Sequence, residues 1–255
     1  MKLMIIRHGD PNYAIDGLTP RGKIEAGLLA EHLKEKKIDY AYLSPLGRAQ
    51  ETAGYVLRAK NMTGETLDWL QEFPAAVRIW EDADLEKAMP VPWDDGKGQP
   101  RISWDILPGW WTKQEELYDK DAWRQNKICS HSQTTEKYAE VAAGLDAVLA
   151  KHGYVRDGMT YRVEQSNNDV LAFFCHFGVE CVMLSHLFGI SPFVLWHCLQ
   201  AVPTSVTVIN TEEREKGIAI FRATQFGDVS HLEKGDQEQS FAGRYCERFE
   251  DDTLH

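Results

Sequence analysis

The chain has 255 residues, 43% of them hydrophobic, enough for a sizeable core in one large domain or one domain carrying a big insertion. A formal net charge of −11 argues against nucleic acid or an anionic membrane surface as the main partner. No apolar run reaches the ~20 residues of a transmembrane helix, and no signal-peptide pattern opens the sequence. The five cysteines are odd in number, scattered and without a Cys-x-x-Cys pair, which predicts free thiols in a reducing cytosol. Asn61-Met62-Thr63 matches a glycosylation sequon and, with no secretory signal, is read as chance.

In chain order, Leu3 to Ile6 is a buried strand that stops at Arg7-His8-Gly9. A turn-rich stretch follows, and Thr19-Pro20 opens a helix as N-cap and first helical residue. Ile24, Leu28, Leu29 and Leu33 are its predicted apolar face. Ile38 to Leu43 is a second strand, Gly47 to Lys60 a second helix, and Leu67 to Phe73 a third strand. This β-α-β-α-β order predicts an α/β fold: a mostly parallel central sheet with helices on both faces. From about 74 to 132 the pattern changes to Pro, Gly, Asp and Trp, with Trp80, Trp93, Trp104, Trp110, Trp111 and Trp123 inside it. Too aromatic for a disordered linker, this segment is predicted to be an inserted cap of short helices. A helix over Thr134 to Lys151 returns to the main body. Strands at Tyr161 to Val163 and Val170 to Cys175, a buried helix from Val179 to Phe188 and a hairpin-like pair at Thr204 to Ile209 and Gly217 to Thr224 follow. The charged tail from about 235 to 255 is expected to be mobile.

Three strand ends carry the chemistry. Arg7 and His8 end the first strand, Arg48 lies in the first helical turn after the second, and His176 follows Phe173-Phe174-Cys175. Ligands in an open α/β sheet bind beyond the carboxyl ends of the strands, where helix N-termini favour anions. Each residue alone reads as packing or a solvated helix position. Together, two His and two Arg would repel one another or sit unsatisfied, and a dianionic phosphate removes that cost.

In these residues the chain resembles the histidine phosphatase superfamily, also called phosphoglycerate-mutase-like. The carrying motifs are Arg7-His8-Gly9, Gly17-Leu18-Thr19-Pro20-x-Gly22 with Ala26, Ser44-Pro45-x-x-Arg48-Ala49-x-x-Thr52-Ala53, and His176-x-Gly178. They cover residues 1 to about 72 and about 134 to 232. The resemblance implies one domain over 1–255, with the cap at about 74–132. It implies a histidine acid phosphatase-type phosphomonoesterase acting through a phosphohistidine on His8. Arg7, Arg48, Gly9, Asn12 and Phe177 would bind the substrate phosphate, and His176 would donate to the transferring group. Glu72 matches the family's proton donor; Glu81, Asp82, Asp84 and Asp10 are alternatives. The sequence departs from the common pattern at Asp10, Pro11 and Ala14, where many members carry Glu, Ser or Thr, and Asn. The longer signature of the cofactor-dependent mutases is missing, which favours a phosphatase over a mutase. A non-catalytic phospholigand-binding protein on the same fold is the reading of another class.

No cofactor and no metal are expected: Cys175, His176, Cys181, His186, His197 and Cys198 match no common zinc spacing. The expected partner is a small phosphorylated molecule in the cytoplasm, with no nucleic acid, no membrane and the oligomeric state open. Most of the tryptophans are expected to pack, with one or two at the entrance; Tyr13 and Phe73 are candidate pocket walls. His231 is read as structural.

Overall fold

The computed structural model describes residues 1–74, 76–89, 101–240, 242 and 248. The chain forms two compact units: Met1–Glu72, Leu149–Glu180 and Gln200–His255 in one, Phe73–Val148 and Cys181–Leu199 in the other.

The first unit is built on an eight-stranded sheet. Its strands are β1 (Lys2–Arg7), β2 (Tyr40–Leu43), β3 (Glu65–Thr66), β4 (Tyr154–Asp157), β5 (Thr160–Val163), β6 (Val170–Cys175), β7 (Val206–Glu215) and β8 (Ile218–Asp228). The order across the sheet is β3-β2-β6-β1-β7-β8-β5-β4. Strands β3, β2, β6 and β1 run parallel, and each further pairing from β7 outward is antiparallel. The register sets Arg7 beside Cys175, so β1 and β6 end at the same level. His8 and His176 are therefore the first residues past two neighbouring parallel strands.

Helix α1 (Pro20–Leu33) begins as expected: the Thr19 hydroxyl accepts from Gly22 N at 3.0 Å, and Pro20 takes the first helical position. Its buried stripe is Gly22, Glu25, Ala26, Leu29, Ala30 and Leu33. Ile24, expected on that face, points the other way and is exposed. At 100° per residue it lies opposite the stripe formed by 22, 26, 29 and 33. Leu28 is partly buried against Val202, Val229 and Leu232. Helix α2 (Gly47–Lys60) has the expected bounds and ends at Asn61 in the left-handed conformation. Met4, Ile6, Leu29, Leu33, Leu43, Val56, Ala172 and Phe174 are among the residues that form a core between the sheet and these helices.

The third strand is not at Leu67–Phe73. The chain pairs two residues earlier, with Glu65 and Thr66 beside Tyr42 and Leu43, and then turns through a short 3-10 helix at Asp68–Leu70. The reason is the length of β2. Leu67 N donates to Leu43 O at 2.9 Å, and Leu43 is the last residue of β2, so no strand edge remains for residues beyond Leu67. Strand β4 had no signal of its own in the sequence; it is the first arm of a short hairpin with β5. The closing strands β7 and β8 run well past the short pair expected for them. The tail expected to be loose from residue 235 is held as far as Ser240. Arg21 donates to Glu238 O, and the buried Ser240 hydroxyl donates to an Asp10 carboxylate oxygen. Most of the remaining tail lies outside the described residues, as do Cys246 and Trp93.

The second unit holds the long helix α3 (Thr134–Lys151) up to Val148, and most of α4 (Phe177–Phe188), joined by short helices at Ala83–Ala88, Pro108–Trp111, Lys127–Ser130 and Pro192–Cys198. Its core is aromatic. Trp123 is fully buried against Tyr138 and Phe193, Trp111 stacks on His197 at 4.8 Å, and Trp196 meets Phe73 and Trp104. Trp80 is exposed.

Two glycines let α1 approach the loop after β1. A Cβ on Gly22 would lie 2.3 Å from Asp10 O, and one on Gly9 would lie 2.8 Å from Gly22 O. Both contacts are with backbone, which cannot swing aside. Gly22→Ala is expected to lower stability by about 1–3 kcal/mol by displacing the 8–10 loop. Thermal unfolding at the wild-type value would contradict that close fit.

Candidate active site

The strand ends bring together four of the residues singled out from the sequence. Arg7, His8, Arg48 and His176 are all buried. The two imidazole rings lie 5.0 Å apart between centroids, tilted by 58°.

Each ring is oriented by a different kind of partner. His8 Nδ1 lies 2.7 Å from Gly9 O. A carbonyl only accepts, so Nδ1 carries the proton and Nε2 presents its lone pair. His176 Nε2 lies 2.8 Å from the Ser44 hydroxyl, which also accepts from Leu46 N at 3.2 Å. No other acceptor for the Ser44 hydroxyl proton is found among the described residues, so the O–H donates to Nε2, which puts the His176 proton on Nδ1. That atom is buried and has no hydrogen-bond partner. One ring therefore offers a lone pair and the other a free N–H.

Both rings are held neutral. Burial pushes His8 well below its ordinary value, Arg7 and Arg48 push the same way, and the Gly9 bond opposes them. For His176 burial again leads, followed by His8, Arg48 and Arg7. Neutral imidazole is the form that can act as a nucleophile.

The guanidiniums are anchored at one end and open at the other. Arg7 Nη1 donates to Ala201 O, and its buried Nε has no partner. Arg48 Nη1 donates to Asp16 Oδ1 at 2.6 Å, its plane lies 5.4 Å from the Tyr13 ring centroid, and its buried Nε is also unpaired. Unpaired buried N–H groups are expensive and call for an acceptor.

Gly9 and Glu72 are tied into the same framework. Gly9 N donates to Thr52 Oγ1 at 2.9 Å, and that hydroxyl donates in turn to Arg48 O at 2.8 Å. Thr52 thus joins the 7–9 turn to α2. Glu72 sits past the 3-10 turn rather than at a strand end, and its Oε1 accepts from Gly178 N at 3.0 Å, two residues after His176. Phe177 is the buried first residue of α4. Asn12 stands apart: its Oδ1 accepts from Ala14 N within its own turn, and among the described residues no hydrogen bond ties it to Arg7, His8, Arg48 or His176.

Sequence reasoning missed four contributors. Asp16 Oδ2 accepts from Gly47 N at 2.6 Å while Oδ1 holds Arg48. Burial works to raise this carboxyl, but the bonds from Gly47 and Arg48 outweigh it and leave the value lowered. Asp16 has φ 46°, and a Cβ on Gly47 would meet its carbonyl at 2.1 Å. Glu25, buried in α1, accepts from Asp10 N at 2.8 Å. Ser44 sets the His176 tautomer; its place in Ser44-Pro45-x-x-Arg48 was visible, its partner was not. Glu180, fully buried in the first turn of α4, has Oε1 unpaired. Among the described residues no group of three or more His, Cys, Asp or Glu could hold a metal ion.

With this geometry in place, the comparisons can be read. Residues 3–101 match the histidine phosphatase superfamily, branch 1. A search of curated proteins finds no match. Among solved structures, a mutant phosphoserine phosphatase from Entamoeba histolytica in complex with phosphoserine aligns with 19% identity and a TM-score of 0.58, covering 91% of this chain and 98% of its own. The same enzyme with 3-phosphoglyceric acid aligns at 18% and 0.56, covering 91% and 98%. A mycobacterial glucosyl-3-phosphoglycerate phosphatase with VO3 aligns at 17% and 0.53, covering 89% and 99%. At these identities the likeness establishes the histidine phosphatase fold.

Burial pushes the Glu180 carboxyl up to about 7; the Thr207 bond and Arg7 pull it down, and Glu72 adds to the rise. A raised carboxyl favours the folded state while protonated. Stability from this group is full below about pH 4.5 and is lost as pH rises through about 7. The loss is at most about 3 kcal/mol. Glu180→Gln, which stays neutral, is expected to raise the melting temperature more at pH 8 than at pH 5. Equal gains at both would mean that the carboxyl does not titrate there.

Proposed function

We propose that this protein hydrolyses phosphate monoesters of small molecules through a phosphohistidine on His8, without a metal. The observation that carries the reading is the buried group of two neutral imidazoles, 5.0 Å apart, and two guanidiniums with unpaired Nε–H groups. A phosphoryl group is the ligand that such a set accommodates: tetrahedral, doubly charged and rich in acceptors. The fixed N–H groups of Arg7, Arg48 and His176 take the negative charge of the transferring group, the role a cation would otherwise fill.

In the first step His8 Nε2 forms a bond to phosphorus and the P–O bond to the alcohol breaks. The leaving oxygen takes a proton from Glu72. In the second step the Glu72 carboxylate accepts a proton from water, whose oxygen attacks phosphorus. The P–N bond then breaks, inorganic phosphate leaves and His8 is restored. Gly9 O keeps the Nδ1 proton in place as positive charge develops on the ring. Lowered imidazole values keep both rings neutral into mildly acid solution, which supports an acid phosphatase-type enzyme. Phosphoserine and glucosyl-3-phosphoglycerate, named for the structural neighbours, support a small-molecule substrate. The four described cysteines are free thiols, which supports a cytoplasmic location. No described helix is long and apolar enough to cross a membrane.

His8→Ala is expected to abolish turnover of an aryl phosphate while the protein stays folded by circular dichroism; retained turnover would end the assignment. Glu72→Gln is expected to slow hydrolysis of alkyl phosphates by about 10²–10⁴-fold and of activated phenyl phosphates much less. An equal loss with both leaving groups would point to a different acid.

A further inference from the structure

One β-branched residue of the first unit has a left-handed backbone. Thr204 has φ 59° and is fully buried. A β-branched side chain at positive φ is a genuine outlier, and such strain persists only where the surroundings enforce it. Three bonds do so. Thr204 N donates to His8 O at 3.1 Å. Its hydroxyl donates to Pro203 O at 2.7 Å and accepts from His231 Nε2 at 2.9 Å. The same short loop bonds Arg7 twice: Ser205 O accepts from Arg7 N at 3.1 Å, and Ala201 O accepts from Arg7 Nη1. Residues 201–205 thus grip the backbone on both sides of the Arg7–His8 peptide and one end of the guanidinium.

His231, in the short helix α5 (Ser230–Lys234), is the outer end of this chain of bonds. Because the Thr204 proton goes to Pro203 O, His231 Nε2 must carry its own proton and donate. Its Nδ1 is then a buried acceptor with no partner. Burial brings His231 down to about 4; His32, whose ring lies 5.7 Å away, and Lys36 act the same way, against Asp228. A neutral imidazole kept buried with one nitrogen unpaired is a poor choice for packing alone.

We propose that Thr204 and His231 are positioning residues for the phosphoryl-transfer step. His231 pins the Thr204 hydroxyl, the strained Thr204 peptide holds the His8 carbonyl, and the loop keeps Arg7 in register. The inference rests on His8 being the nucleophile. It concerns the orientation of the attacking ring and not the binding of phosphate, because Arg7 is bonded by Ala201 O and Ser205 O rather than by Thr204 or His231, and Arg48 and the second imidazole are held by other elements.

The test compares kcat, KM and the inhibition constant of inorganic phosphate for His231→Leu, His231→Gln, Thr204→Gly and Thr204→Ser, using an aryl phosphate. His231→Leu is expected to lower kcat about tenfold, with KM and phosphate inhibition within about twofold. His231→Gln, whose side-chain N–H can reach the same hydroxyl, is expected to recover most of the loss. Thr204→Gly relieves the backbone strain and keeps the N–H to His8 O. It is expected to lose kcat without losing melting temperature, while Thr204→Ser stays near wild type. If His231→Leu fails to fold, the Thr204 pair decides alone. A lowered melting temperature with kcat unchanged, or Gln behaving like Leu, would overturn the positioning role. Turnover retained in His8→Ala would overturn the proposed function instead, so the two failures are told apart.

Discussion

The first unit is governed by a single electrostatic constraint. Two guanidiniums and two imidazoles are buried where parallel strands end, and burial beside the permanent charges of the guanidiniums pushes both imidazoles toward the neutral form. The rings meet that constraint by staying neutral, each with its proton placed by a neighbour: Gly9 O for one, the Ser44 hydroxyl for the other. The arginines meet it by taking acceptors on one edge only, Ala201 O and the Asp16 carboxylate. What is left over is a buried set of unpaired N–H groups and one ring nitrogen lone pair. The chemistry follows from that remainder.

The rest of the framework secures this arrangement through backbone. The β1/β6 register sets both histidines at one level. Glu25 accepts from Asp10 N, Thr52 from Gly9 N and Glu72 from Gly178 N, so three side chains from separate segments fix the main chain beside His8 and His176. Preorganisation of this kind costs nothing at the moment of reaction, because the dipoles are already in place. It also explains why α1 must come so close that Gly9 and Gly22 admit no side chain.

Much of the first unit was legible in the sequence because the signals were local. Thr19-Pro20 marked the start of α1, Gly47 to Lys60 gave the bounds of α2, and six apolar residues in a row gave β6. The functional strand ends were readable for the same reason, since a buried run stopping at a histidine is a local pattern. The errors came where a partner decided the outcome. Leu67–Phe73 reads as a strand until β2 proves too short to pair with it. Asp16, Glu25 and Glu180 look like surface acids until folding places them against Arg48, Asp10 and Thr207. Thr204 gave no warning, because a β-branched residue predicts extended backbone and its left-handed turn is imposed by bonds from remote segments.

Under the proposed phosphatase reading, the Asp16 carboxylate on Arg48 would bear on how the cycle closes. An arginine already paired with an acid is not left bare when the product departs, so leaving would not strand a buried charge. The resident acid would also repel whatever dianion shares the guanidinium, and retention of inorganic phosphate would be weakened at the one step where tight holding slows the next round.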